Sequence, residues 1–186
     1  YAAASDLAAD FHLWRVPISG GAEPERLELA GVGALYPAVA PTGHKLAFTR
    51  REGDYDIWKF EGDAPPKRFL SSTLAEIDPQ FSPDGKRIAF ATNRSGKGSE
   101  LWVANEDGTN LVRLTEGTGR MLGGPRWSPD SRWITYDQQQ EDGHWDICMI
   151  EAAGGQPRLL TPPLSDDILS SWSRDGQWIY FASNRG

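Results

Sequence analysis

The chain has 186 residues, 39% of them apolar, with 20 glycines and a net charge of −7, a globular composition sized for one domain with a core. The acidic balance excludes a broad phosphate-binding face, no run reaches the ~18 apolar residues of a membrane span, and the single Cys148 excludes an internal disulfide. No signal peptide is recognisable, an absence of little weight in a chain that begins mid-element, so the compartment stays open.

Residues 1–35 read as the end of one unit. In YAAASDLAADFHLW, Leu7, Phe11 and Trp14 fall at helical spacing. The repeat described next instead makes Tyr1–Ala4 the end of a second strand, followed by a loop and a third strand at Trp14. Residues 36–77, 78–123 and 124–169 are three whole units, and 170–186 opens a further one. One ten-residue phrase recurs as VAPTGHKLAF at 39–48, FSPDGKRIAF at 81–90, WSPDSRWITY at 127–136 and WSRDGQWIYF at 172–181. Its turn positions 40, 82, 128 and 173 are spaced by 42, 46 and 45 residues. Two further anchors keep the same order and period: Trp14, Trp58, Trp102 and Cys148, then Arg26-Leu27, Arg68-Phe69, Arg113-Leu114 and Arg158-Leu159. Three independent anchors establish an internal repeat.

Each unit reads as four short strands. In residues 78–115, PQFS is the first strand and SPDG a tight turn with Pro at its second position and Gly at the left-handed one. KRIAFAT, ELWVAN and LVRLT follow as second, third and fourth strands, separated by NRSGKGS and EDGTN. Ser131 replaces the turn glycine in the third copy, where a left-handed residue with a side chain would cost ~1–2 kcal/mol. Arg174 replaces the proline in the fourth. Four antiparallel strands per ~44 residues, with recurring aromatics, predict an all-β fold: a β-propeller of four-stranded antiparallel blades. The chain holds about four blade-equivalents. Tyr1–Ala4 and Ile179–Ser183 would write one second strand twice if the ring closed on itself, so a piece of a larger ring is the favoured expectation over a closed four-bladed one. Strand edges near Trp14 and Phe181 would then be open to a second copy, giving a homodimer.

SPDGKRIAFATNRSG and ELWVANEDGTNLVRLT resemble the repeat of TolB-like propellers over essentially the whole chain. LWRVPISGGAEPERL, PPKRFLSST, DPQFSPDGKRIAFAT and SSWSRDGQWIYFASNRG resemble the propeller half of bacterial CadC-like transcriptional regulators, which carry a winged-helix DNA-binding domain ahead of it. That resemblance implies a sensing or interaction module whose DNA-binding domain lies outside this chain. Propellers of prolyl-oligopeptidase-type serine peptidases carry similar repeats and gate access to a hydrolase domain. TolB itself is a periplasmic envelope protein that binds partner proteins.

No catalytic constellation stands out. There is no G-x-S-x-G elbow, Walker sequence or dinucleotide fingerprint, and His12, His44 and His144 fall at different repeat positions. Asp54 and Asp56 lack the further oxygen ligands of a calcium loop, so neither metal nor cofactor is expected. Cys148 reads as a small core residue in a buried strand. A polar residue recurs two before the third anchor strand's aromatic, at His12, Asp56, Glu100 and Asp146, and reads as a structural hydrogen bond or a solvated edge. The copies differ most where the fourth strand leads to the next first strand, a connection that lines one mouth of a propeller's channel. A constant scaffold with variable loops is how repeat folds carry recognition. Tyr36, Glu76, Asp78, Arg120, Met121, Asp166 and Asp167 are therefore the expected contacts for a protein or small-molecule partner. The expectation is a non-catalytic binding or sensing module without hydrolase activity or duplex-DNA binding of its own.

Overall fold

The computed structural model describes residues 11–52, 54–161 and 165–186; the strand expected at Tyr1–Ala4 lies outside them. Three four-stranded antiparallel sheets follow one another along the chain. The first comprises β3 (Ala34–Val39), β4 (Lys45–Glu52), β5 (Asp54–Glu61) and β6 (Lys67–Leu70). The second comprises β7 (Glu76–Phe81), β8 (Arg87–Thr92), β9 (Glu100–Asn105) and β10 (Val112–Arg113), and the third β11 (Leu122–Trp127), β12 (Trp133–Gln139), β13 (Trp145–Glu151) and β14 (Arg158–Leu159). A two-stranded sheet precedes them, β1 (Trp14–Arg15) with β2 (Glu25–Arg26), and another ends the chain, β15 (Asp167–Trp172) with β16 (Ile179–Ser183). The first strands β3, β7, β11 and β15 pack side by side in that order, as the inner strands of a propeller do. The all-β expectation and the blade type both hold.

The Ser-x-Asp turn between first and second strands is self-sufficient. Ser82 Oγ donates to Asp84 Oδ1 (2.5 Å) and accepts from Arg87 N (3.0 Å), while Asp84 Oδ1 also accepts from Lys86 N (3.1 Å). Ser128 with Asp130 and Ser173 with Asp175 repeat these bonds. The Ser128 hydroxyl lowers the Asp130 carboxyl below its ordinary range, and Ser173 does the same for Asp175. Ser131 does adopt the left-handed conformation at φ 60°. Its strain is offset across the blade interface, because its Oγ accepts from Asp84 N of the preceding sheet at 3.1 Å.

A second left-handed position recurs in every inner strand. Tyr36, Asp78, Gly124 and Leu169 have φ of 52°, 54°, 60° and 60°. Strand pairing shifts register at the same places, between Leu35 and Ala38, Ile77 and Gln80, Gly123 and Arg126, and Ile168 and Ser171. These are β-bulges, each inserting an extra residue that bends the strand. Pro37, Pro79 and Pro125 follow the first three, placed where a ladder donor is not needed.

The core sits between blades rather than within one. One buried cluster joins Ala38, Ala47, Ile57 and Leu70 of the first sheet to Phe81, Ile88, Phe90 and Ala104 of the second. Another joins Ala89, Leu101, Val103 and Leu114 of the second to Trp127, Ile134, Tyr136, Cys148, Ile150 and Ala152 of the third. Indole N–H groups pin successive inner strands: Trp127 Nε1 donates to Gln80 O (2.9 Å) and Trp172 Nε1 to Arg126 O (3.1 Å). Packing on both faces explains why strands such as RWITY are apolar on successive residues.

Candidate functional site

The inner-strand bulges lie near the strand starts, at the end of the sheets where fourth strands hand over to the next blade. The second-to-third-strand loop reaches the same end: in the second sheet Gly119 N donates to Lys97 O (2.7 Å) and Ser99 N to Arg120 O (3.2 Å). A Cβ on Gly98 would come 2.7 Å from the Gly119 backbone, so this loop seats only with glycine there. Fixed backbone and variable side chains meet at this end of the sheets.

Tyr36 and Asp78 occupy neighbouring bulges. Tyr36 is 48% exposed, and partial burial, with the Asp78 carboxylate and then Tyr55, raises its phenol above the ordinary range. Asp78 Oδ2 accepts from Gly124 N in the next bulge at 3.1 Å. At the following interface Asp137, on β12, accepts from Leu169 N at 3.0 Å. A carboxylate thus clasps the next blade's bulge twice, from two different scaffold positions. Burial raises both acids, against the pull of these N–H groups and of Arg126, and Asp78 further raises Asp137. Gly124 lies between them: a Cβ there would stand 3.3 Å from Asp137 Oδ2. Met121 (61% exposed) and Leu169 (65% exposed) add apolar surface to the rim.

The remaining expected residues separate. Arg120 pairs with Glu141. Asp166 caps its surroundings, Oδ1 accepting from Trp145 N (3.1 Å) and Oδ2 from Asn184 Nδ2 (2.9 Å). Glu76 and Asp167 are fully buried, which corrects their reading as surface contacts. Glu76 accepts from Ser72 (2.6 Å), Thr92 (3.0 Å) and Arg94 (3.1 Å), and Asp167 accepts from Ser165 and pairs with Arg185. Both belong to a repeated latch spelled Asn-Arg after the second strand: Asn93 and Asn184 accept the N–H groups of Ala75 and Asp166, while Arg94 and Arg185 bind the acid. Sequence reasoning passed over that dipeptide, and it passed over Arg126 and Asp137, which sit in regular strands.

The recurring polar position before the aromatic also resolves. Asp56, Glu100 and Asp146 are all fully buried, so the solvated-edge alternative does not hold for them. Glu100 accepts from Trp102 Nε1 (3.0 Å) and Arg113 (3.4 Å), and Asp146 from Thr161 Oγ1 (3.2 Å). Burial raises the carboxyls of Asp56 and Asp146. Burial likewise pushes the Cys148 thiol up to about 11, holding it as an unreactive thiol at neutral pH. Among the described residues no three His, Cys, Asp or Glu side chains are grouped to hold a metal ion, and no helix is long and apolar enough to cross a membrane. The bulge end of the sheets carries carboxylate acceptors at Asp78 and Asp137 and exposed apolar side chains at Met121 and Leu169.

No family model matches the chain. It is 32% identical over 106 residues to a protein of Sulfurisphaera tokodaii named as a Tricorn-like protease C-terminal subunit, covering 57% of this chain and 12% of that one. To the uncharacterized peptidase YuxL of Bacillus subtilis it is 27% identical over 122 residues, covering 63% of this chain and 18% of YuxL. The chain therefore spans less than a fifth of either relative. Among solved structures, a TolB-type protein of Agrobacterium tumefaciens superposes with a TM-score of 0.80 at 22% identity, over 92% of this chain and 62% of that one. A puromycin-hydrolyzing peptidase of Mycobacterium tuberculosis superposes with a TM-score of 0.67 at 18% identity, over 90% and 31%. The chain has the TolB-like β-propeller fold, which also occurs in peptidases.

Proposed function

We propose that the chain is a non-catalytic propeller module that binds a protein or small-molecule ligand at the channel mouth. Tyr36, Asp78, Arg120 and Met121 would make the contacts, joined by Leu169, while Glu76, Asp166 and Asp167 hold the scaffold. The carrying observation is the bulge repeated at Tyr36, Asp78, Gly124 and Leu169. It keeps one backbone geometry around the mouth while presenting a phenol, a carboxylate, bare backbone and an isobutyl group. Such a rim suits an extended peptide, whose N–H groups would meet the carboxylates and whose apolar side chains would meet Tyr36, Met121 and Leu169.

Two settings fit this module. The CadC-like resemblance makes it the C-terminal propeller of a regulator. The identity to Tricorn-like and YuxL relatives favours the second, a propeller that gates access to a peptidase domain. The flanking coding sequence separates them: a winged helix upstream fits the regulator and an α/β-hydrolase downstream fits the peptidase. For the mouth itself, peptides selected from a display library on the immobilised chain are the probe. Their affinity is expected to fall at least about tenfold in Tyr36→Ala and Leu169→Ala, equivalent to about 1.4 kcal/mol, and to hold in Leu111→Ala, a distant exposed site. Undiminished binding by both rim variants would overturn the assignment.

A further inference from the structure

The outer corner between the first and second sheets departs from its repeat, at the end of the strands opposite the bulges. On β5 and β6, Lys59 lies directly across from Lys67. The same cross-strand pair is Val103–Val112 in the second sheet and Met149–Arg158 in the third. Val103 and Met149 are buried, whereas Lys59 is half-buried and Lys67 exposed. Like charges directly opposite each other in a sheet repel, so blade packing does not explain the two lysines.

The nearby carboxylates do not neutralise them. Glu106, in the turn after β9, gives its carboxylate to Lys45 at 2.7 Å and only its main-chain carbonyl to Lys59 at 2.9 Å. Glu61 stands 3.8 Å from the same Lys45, and Asp107 accepts from Thr109 N (2.9 Å) and Thr109 Oγ1 (2.6 Å). The Lys59 ammonium, 4.3 Å from the Phe69 ring centroid, has two N–H donors beyond its bond to Glu106. Lys67 makes no hydrogen bond or ion pair among the described residues.

Both lysines line a cavity of about 480 Å³, the size of a small-molecule site. Phe60, Pro65 and Phe69 form its apolar wall, and Asp107 of the second sheet closes its far side. Phe69 is fixed from behind. It packs on the buried cluster shared by the first and second sheets, and a Cβ on Gly108 would come 3.0 Å from its ring. A wall ordered before binding reduces the entropy lost on binding.

We propose that this cavity binds a small organic acid, its carboxylate held by Lys59 and Lys67 and its apolar body against Pro65 and Phe69. The cavity is larger than a bare inorganic anion needs, and its apolar wall suits a carbon skeleton. The charges select a monoanion. Thr109 lowers the Asp107 carboxyl below its ordinary range, so Asp107 stays ionised and offsets one of the two ammonium groups. A carboxylate balances the other, and a dianionic phosphate would exceed it. This cavity is separate from the mouth and stands whether or not the mouth binds peptides.

The test is titration of the isotopically labelled chain with naphthoate, followed by the amide shifts of Phe69 and Asp107. Saturation with a Kd of about 1 mM or tighter is expected, without shifts at the rim residues Tyr36 and Leu169. Lys67→Ala should weaken binding about tenfold or more, and Lys67→Arg should keep it within about threefold. Naphthalenemethanol, the same body without the charge, should bind about tenfold more weakly than naphthoate. No saturation by about 10 mM naphthoate, or undiminished binding by Lys67→Ala, would overturn the proposal. Tighter binding of naphthyl phosphate than of naphthoate would overturn the carboxylate assignment.

Discussion

The second sheet and the terminal hairpin begin identically and end in different states. β7–β8 and β15–β16 share the Ser-x-Asp turn, the inner-strand bulge and the Asn-Arg latch, with Arg94 on Glu76 and Arg185 on Asp167. Yet Phe90 is fully buried and Phe181 is 38% exposed. Turn and latch are local chemistry that each of these two strand pairs completes within itself. Burial of the second strand is not local, because the third strand and the neighbouring blade supply it.

The largest expected effect follows from that contrast. Phe90→Ala should destabilise the chain by about 3–5 kcal/mol, as deletion of a large core side chain does, whereas Phe181→Ala should cost below about 1 kcal/mol. Chemical denaturation of the two variants checks this, and equal losses would erase the distinction.

A second contrast lies between the first and second sheets, at one repeat position. Glu100 accepts the Trp102 indole N–H, while Asp56, one methylene shorter, leaves Trp58 Nε1 without a partner. Arg68 Nε stands 3.1 Å from Asp56 Oδ2 as an ion pair without hydrogen-bond geometry, and Arg50 stacks over the Trp58 ring at 3.3 Å. Glu100→Ala should lose about 1–3 kcal/mol by stranding Trp102 and Arg113. Asp56→Glu should gain about 1 kcal/mol by reaching Trp58, and thermal unfolding of both variants reads the opposite signs.

The smallest effect is in pH dependence. Asp130 has a lowered carboxyl, so its contribution is present above the ordinary range near about 4 and is lost as pH falls through the lowered value. Asp146 has a raised carboxyl, so its contribution is present in acid and is lost as pH rises through the raised value. Asp130→Asn should therefore be less stable than the parent chain at neutral pH and converge with it in acid, whereas Asp146→Asn, which mimics the protonated acid, should be the more stable at neutral pH and likewise converge in acid. Denaturation midpoints across pH 3 to about 7 check both.

What the sequence made legible followed backbone chemistry. The turns at Ser82, Ser128 and Ser173, the strand anchors at Trp58 and Trp102, and the left-handed Ser131 all leave marks in residue type. The inner-strand bulge left a fainter one, because Tyr36, Asp78 and Leu169 are not residues that announce positive φ, and only the prolines after three of the four positions hint at it. Tyr36 and Asp78, which loop variation singles out, fall at two of these bulges. Loop variation does not single out Arg126 and Asp137, since each sits in a strand that otherwise looks like scaffold. Glu76 and Asp167 were read as surface because acids usually are; the serines, threonine and arginines that bury them converge only in three dimensions.

The claim that the third strand decides the state of the second is tested most directly by residue-resolved amide exchange on the chain alone. Amides of β8 and β12 should exchange only through global unfolding, and those of β16 faster by about a hundredfold or more. Equal protection of β8 and β16 at low concentration would contradict it.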